Sequence, residues 1–559
     1  MGSIKVGEYL LKRIKEVGVD TVFGVPGDYN MPLLDMIEDD AELTWGNNAN
    51  ELNASYAADA YARLRGASAL VTTFGVGELS AACGHAGAYS EMLPLIHIVG
   101  TPNTKSQAEG AILHHSLGNG NFQVFVEMFG KISGAYTHLT RETAVNEIDR
   151  VIQEAYLKKR PAYIGIPIDL INYDVNVSSK PLQLSVPRNP AKIQEVCLQV
   201  CLEAINRARH PIIIVDACIQ RHGLQKEAVA FIQRSGFPTY CAPMGKGVVP
   251  EDLPNYRGCY AGTITLEGIT KEILQTDLII ELGSIKSDFN TGGFTYGLDR
   301  GKTISLHSFA TNVFYADYEK VSMVEFLPLL TNALPAQPRQ FDLGPRIHPA
   351  PIEEGTEITH NYFWNKIVDY IDPNSVIVAE TGTSEFASFN LKAPKGAFFI
   401  AQVLWGSIGY SVGAALGAAA ADRSRRVYLF CGDGSFQLTC QEVSVMLHHG
   451  LTPVIFILNN DGYLIEKLIH GPHRAYNNFQ MWKYAQTLDY MGGHLERNSQ
   501  DVAQSEVGVE AKVTNRAELE KAMTRVQKER NKIHFLEVVM PRFDAPRELI
   551  LQVETSENR

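Results

Sequence analysis

The chain lacks most of what would mark it as a secreted, membrane-bound or nucleic-acid-binding protein. Its 559 residues include only eight cysteines. None are spaced as CxxC or packed densely enough for a disulfide framework, so a reducing compartment is expected. Cys197 and Cys201 stand one helical turn apart, the spacing of a packed helix face. No apolar run reaches the roughly 20 residues that span a bilayer. The stretch 407–421 is apolar but short and rich in glycine and alanine. The opening residues carry neither an apolar leader nor a serine or threonine at position 6, so secretion and myristoylation are not expected and a cytoplasmic location is. Basic residues are outnumbered, giving a net charge of −12, which argues against nucleic acid or an anionic membrane as partner. Short-period repeats are missing, and Met244-Gly245-Lys246-Gly247 lacks the glycine spacing of a phosphate loop.

What is present is alternation of strand and helix. Apolar residues make up 45% and charged residues 20%, as in ordinary globular enzymes, and the length suits about three domains. Two stretches have linker composition: 171–190, with Ser178, Ser179, Pro181, Pro187 and Pro190, and 335–356, with Pro338, Pro345, Pro349 and Pro351. They divide the chain into expected domains 1–180, 190–340 and 355–545, leaving 546–559 as a C-terminal tail. An amphipathic helix over 6–17 precedes apolar strand runs at 21–24, 69–73, 95–99 and 161–167. Further runs lie at 211–216 and 277–282, then at 375–379, 426–431, 453–458 and 533–539. Such alternation predicts an α/β fold of three doubly wound parallel sheets, each covered by helices. Three similar architectures suggest an old duplication.

The most telling stretch is Gly432-Asp433-Gly434-Ser435 followed by Asn459-Asn460-Asp461-Gly462. Each group ends a run that reads as a central parallel strand, and the helical spacing from Gln441 to His449 between them stops at Gly450. One strand–helix–strand unit thus brings a carboxylate, an amide oxygen and flexible backbone to neighbouring strand ends, where open α/β sheets bind ligands. A few hard oxygen donors suit Mg²⁺ carrying phosphate better than Zn²⁺ or Fe. Asp-Gly alone is usually only a turn; the paired strands and double asparagine give it weight. Glu51 opens a helix, where the dipole favours a carboxylate in any case. His448-His449, in the last turn before Gly450, reads as a helix end rather than a site.

This pattern resembles the diphosphate-binding motif of thiamine diphosphate enzymes. Val25-Pro26-Gly27-Asp28-Tyr29-Asn30, Asn50-Glu51-Leu52-Asn53, the stretch 72–80, Leu113-His114-His115-Ser116 and Gln402-Val403-Leu404-Trp405-Gly406-Ser407-Ile408-Gly409 extend the resemblance over essentially the whole chain. They narrow it to the pyruvate decarboxylase family, in its fungal and indolepyruvate-decarboxylase-like branch. The resemblance implies pyrimidine-binding, central and diphosphate-binding domains, with thiamine diphosphate and Mg²⁺ as cofactors. It implies that Asp433, Asn460 and the Gly462 carbonyl hold the metal, and that Thr383, Gly434 and Ser435 lie at the diphosphate. Glu51 would activate the aminopyrimidine, the Gly406 carbonyl would accept its amino group, and Ile408 would wedge the coenzyme into a bent shape. Asp28, His114, His115 and Glu466 match the family's proton-handling set, expected in a dry cleft where they shift one another's pKa.

The implied reaction is the non-oxidative decarboxylation of a 2-oxo acid, pyruvate to acetaldehyde and CO₂. The alternatives are a bulkier substrate (phenylpyruvate, indolepyruvate or a branched-chain oxo acid), a carboligating synthase, or a silent homologue. Large Ile465 and Ile469 favour a small substrate. Glu385 stands where relatives carry a small apolar or aromatic pocket residue; it would repel an anion, welcome a cationic tail, turn away or sit protonated. Cys218 lies where some fungal members carry a regulatory cysteine, but Met92 replaces the histidine of that pattern, and a buried thiol is the plainer reading. The two halves of the site lie far apart in the chain, and in this family they come from two subunits. A homodimer, commonly paired into a tetramer, is therefore expected.

Overall fold

The computed structural model describes residues 3–177, 180–495 and 504–557; Met1, Gly2 and the linker residues Ser178 and Ser179 lie outside the described residues. The early sheet contains strands Thr21–Gly24, Thr44–Trp45, Ser68–Thr73, Leu95–Thr101, Ala135–His138 and Ala162–Pro167. All are parallel. Numbered within the sheet, their order is 2-1-3-4-6-5. The late sheet, of Val376–Ala379, Phe398–Ile400, Val427–Gly432, Val454–Asn459, Val507–Val513 and Ile533–Val539, is also wholly parallel and has the same order. Interior strands such as Ser68–Thr73 and Leu95–Thr101 are buried at every residue, which is why they read as unbroken apolar runs.

The middle sheet differs. Its parallel strands Pro211–Val215, Thr239–Cys241, Tyr256–Cys259, Leu278–Leu282 and Thr303–Leu306 run in the order 3-2-1-4-5. An antiparallel hairpin, Ala310–Val313 with Ala316–Glu319, then extends one edge. The expected parallel architecture is therefore completed by an antiparallel edge, and short connections suffice there because antiparallel neighbours need no crossover.

Two further stretches carry more structure than their composition suggested. Ser3–Lys5 pairs antiparallel with Asp174–Asn176, so the start of the stretch read as linker is tied to the beginning of the chain. The stretch read as a tail is the helix Arg547–Glu557. Its Leu549 and Val553, four residues apart on one face, are buried in the core cluster that includes Phe386 and Phe389.

The early and late sheets meet through a helix pair. Helix Glu51–Arg65 starts at Asn50, whose side chain accepts from the Asn53 amide, and ends at left-handed Gly66. It lies against helix Tyr410–Ala421 at very short range. A Cβ on Gly417 would stand 1.9 Å from the Ala57 carbonyl oxygen, and one on Gly413 would stand 2.7 Å from that of Asn53. This contact accounts for the glycine- and alanine-rich stretch seen in the sequence. Asp59 accepts from the Arg63 Nε at 2.8 Å and from the Tyr410 hydroxyl at 2.5 Å, locking the pair. No described helix is long and apolar enough to cross a membrane.

Candidate active site

The carboxyl edge of the late sheet holds one group of candidate residues. Asp433 begins a helix directly after Val427–Gly432, and Asn460 directly follows Val454–Asn459. Both are buried, at 2% and 6% exposure. The Gly434 amide donates to Asp433 Oδ1 at 2.9 Å and the Gly462 amide to Oδ2 at 3.2 Å. Burial pushes Asp433 up to about 6, against the pull of those backbone N–H groups. Asn460 Oδ1 is buried with no hydrogen-bond donor among the described residues. A carboxylate and an amide oxygen left short of positive partners, side by side in burial, fit a hard divalent cation. The glycines are required: a Cβ on Gly434 would come within 2.5 Å of the Tyr463 ring, and Gly462 has φ +123°.

Thr383, Ser435, Ile408, Ile465 and Glu466 line the same cleft. Glu466 is raised above its usual range by burial, and its Oε2 has no partner among the described residues. Gly406 sits just beside the lining, in a turn with φ +62° whose amide donates to the Gln402 carbonyl at 2.8 Å. Sequence reasoning passed over Glu380. This buried acid follows Val376–Ala379, lines the cleft, and accepts from the Gly409 and Ser411 amides at 3.1 Å each. It anchors the loop that presents Ile408. Burial pushes it up to about 7 despite those donors. Its signal was available, since an acid ending an apolar strand run faces the ligand-binding edge.

A second group stands at the carboxyl edge of the early sheet. His114 Nε2 lies 2.6 Å from Asp28 Oδ2, and His115 Nε2 lies 4.0 Å from Oδ1. The Tyr29 ring stacks on His114 at 5.0 Å. His115 has φ +65°, and its carbonyl presses on Gly75, where a Cβ would come within 2.1 Å. The dry cleft expected around this set is not formed within one chain: the Asp28 and His114 side chains are 48% and 58% exposed. Glu51, in the first turn of its helix, faces Gly77, where a Cβ would stand 3.1 Å from Oε1. Burial raises its carboxyl.

Glu51, Asp28, His114 and His115 do not line the Asp433 cleft. That cleft encloses only about 50 Å³, against the roughly 300 Å³ or more of a small-molecule site. Within one chain, the two groups therefore stay apart.

Two of the expected pocket residues lie outside this cleft's lining. Glu385 is not in the cleft lining but fully buried behind it; neither carboxylate oxygen has a hydrogen-bond partner among the described residues, and burial, reinforced by Glu91, pushes it up to about 8. Ile469 ends its helix and is 48% exposed, so of the two isoleucines only Ile465 lines the cleft. Cys218 is the buried thiol that the plainer sequence reading expected: it is sealed in the core, its Sγ 3.5 Å from Met92 Sδ, and burial pushes its thiol up to about 12. His449 is structural, as its position before Gly450 implied: its Nε2 lies 2.8 Å from the Gly46 carbonyl oxygen.

Three family models match the chain. They are the thiamine pyrophosphate enzyme N-terminal TPP-binding domain over residues 4–123, the central domain over 198–333 and the C-terminal TPP-binding domain over 380–538. Pyruvate decarboxylase isozyme 3 of Saccharomyces cerevisiae is 41% identical over 99% of this chain and 98% of its own length. The pyruvate decarboxylase of Aspergillus terreus is 43% identical over 100% and 97%. Among solved structures, benzoylformate decarboxylase from Polynucleobacter necessarius superposes with a TM-score of 0.77 at 18% identity, covering 97% of this chain and 99% of that one. This last likeness concerns the fold alone.

Proposed function

This chain belongs to the thiamine pyrophosphate enzymes, within the pyruvate-decarboxylase-like family, and from that premise we propose that its principal substrate is pyruvate, released as acetaldehyde and CO₂. It is a thiamine diphosphate-dependent carboxy-lyase acting on a 2-oxo acid. The names of its relatives and the bulk of Ile465 in the cleft support the small substrate.

The observation that carries the site assignment is the buried pair of Asp433 and Asn460, short of positive charge at adjacent strand ends. Asp433, Asn460 and the Gly462 carbonyl would hold Mg²⁺, and Thr383, Gly434 and Ser435 would meet the diphosphate. When bound, thiamine diphosphate supplies the electron sink that lets a 2-oxo acid lose its carboxylate. Ile408, braced by Glu380, would fix the bend of the coenzyme, and the Gly406 carbonyl would accept from its amino group. Glu51, raised by burial, holds a proton more readily than a free glutamate and would share it with the pyrimidine. Glu466 and the Asp28–His114–His115 set would deliver and remove the protons that an aldehyde product requires.

The active unit is a homodimer, in which the early edge of one subunit covers the late edge of its partner, and two dimers pair into a tetramer. The small cleft and the exposed Asp28 and His114 support this reading. We take the domains to span 1–180, 190–340 and 355–545. The eight free thiols support a cytoplasmic location. An aldehyde assay over pyruvate, branched-chain oxo acids, phenylpyruvate and indolepyruvate tests the substrate. Pyruvate is expected to give the highest kcat/KM, and a phenylpyruvate value far above it would remove the assignment. Calorimetry is expected to detect thiamine diphosphate binding that depends on Mg²⁺.

A further inference from the structure

The late sheet has a second edge. At the amino ends of its strands, opposite Asp433 and Asn460, lies a cavity of about 200 Å³ lined by Arg423, Arg425, Arg426 and Arg530, with Asp372 as the one acid in the lining. Arg426 immediately precedes Val427–Gly432, and the turn through Thr452 precedes Val454–Asn459. Four guanidinium groups facing one carboxylate are unexpected on a chain of net charge −12.

Where the donors go decides what this cavity can do. Arg425 is spent on structure, donating to the carbonyls of Asn374, Ser375 and Gly396. Arg423 Nη1 donates to the His449 carbonyl at 3.1 Å. Asp372 Oδ2 is already shared, lying 2.7 Å from Arg530 Nη2 and 3.0 Å from the Tyr428 hydroxyl. Arg426 Nη1 is 3.7 Å away from it, beyond a hydrogen bond. The Arg426 side chain is only 8% exposed. Its Nη2 donates to the Val526 carbonyl at 3.2 Å, but its Nε and Nη1 have no hydrogen-bond acceptor among the described residues. A buried cationic donor without an acceptor costs more than a neutral one. Arg426 thus shares Asp372 with Arg530 and lies over the Tyr428 ring at 5.7 Å, yet keeps two buried donors without a hydrogen-bond acceptor among the described residues.

We propose that this cavity is a phosphate site, taking inorganic phosphate or the phosphate group of a small phosphomonoester. The arginine fork suits phosphate oxygens, and the excess of cations calls for more than one negative charge. The volume suits a small anion rather than a nucleotide. The site is separate from the coenzyme's diphosphate: the six-residue strand Val427–Gly432 lies between them, about 20 Å at 3.3 Å per residue.

The test is calorimetric titration of the holoenzyme, saturated with thiamine diphosphate and Mg²⁺, with inorganic phosphate and separately with glycerol 2-phosphate. One phosphate per chain is expected to bind, weakened at least tenfold in Arg426→Met and in Arg423→Ala and strengthened in Asp372→Asn. Phosphate-free kcat/KM should be unchanged in all three. Should Arg426→Met fail to fold, the rim variant Arg423→Ala carries the same expectation. Binding of both probes would assign the site to phosphomonoesters as well, and binding of inorganic phosphate alone would assign it to the free ion; either supports the site. No saturable binding, or binding equally strong in Arg426→Met and Arg423→Ala, would overturn it. So would affinity confined to very high concentration, which would mark an adventitious ion only.

Discussion

The early and late sheets share one winding, 2-1-3-4-6-5, yet their carboxyl edges carry different residues. Behind the first strand stands Asp28 in one and Thr383 in the other; behind the second, Glu51 and Ile408; behind the fourth, the histidine pair and Asn460. Even the helices that join them, Glu51–Arg65 and Tyr410–Ala421, both follow the second strand of their sheets. This correspondence supports the duplication suspected from sequence, and the middle sheet, wound 3-2-1-4-5, stands outside it. The lesson is that winding provides the ledge, while the residues at strand ends decide what each ledge can bind; under the proposed function, one would hold metal and diphosphate and the other would handle protons.

Substitutions on the two edges should therefore fail differently. Asp433→Ala is expected to abolish Mg²⁺-dependent coenzyme binding, seen by calorimetry, and activity with it. Glu51→Gln should keep the coenzyme bound while kcat falls by about 10²–10⁴. Similar loss of binding in both would erase the distinction.

The joint between the two halves comes next. Gly417→Ala puts a methyl 1.9 Å from the Ala57 carbonyl and should cost about 1–3 kcal/mol in denaturant unfolding. An unchanged midpoint would mean the helices are not so close.

Glu385 has no counterpart duty on the early edge, and its effect should be on stability. Its folded-state pKa of about 8 stands above the ordinary value of 4.5. The folded form therefore holds a proton that the unfolded chain releases. This group's contribution is fully present below pH 4.5 and is lost as pH rises through about 8, by at most about 1.4 kcal/mol per unit. Glu385→Met should flatten that slope in unfolding measured from pH 5 to 8; an identical slope would contradict the assignment.

The smallest effect is expected at Cys218. Cys218→Ala should leave the shape of the rate-against-substrate curve as it is in the wild type. A sigmoidal curve that turned hyperbolic would give this buried thiol a regulatory part.

Much of this comparison was legible in the sequence, in a physically selective way. In both outer segments the strands read correctly were the interior ones, which are buried on both faces. The edge strands Thr44–Trp45, Ala135–His138, Phe398–Ile400 and Val507–Val513 escaped because they are partly exposed and mix polar with apolar residues. Asp433 and Asn460 were readable because strand ends and glycine turns are local signals. Glu385 was visible as an anomaly, but its direction was not, since a side chain's burial behind the cleft depends on packing from distant segments. Glu380 was overlooked because its partners, the Gly409 and Ser411 amides, lie a whole loop away.

The central claim is that the early edge of one chain completes the late edge of another. Chains carrying Glu51→Gln and chains carrying Asp433→Ala, each inactive alone, should be co-expressed and the mixed oligomers assayed for acetaldehyde formation. If the site is shared across a two-fold dimer, mixed pairs contain one intact site, and about a quarter of wild-type activity should return under random pairing. If both halves of each site come from one chain, no mixture holds an intact site, and activity should stay at the level of the single variants.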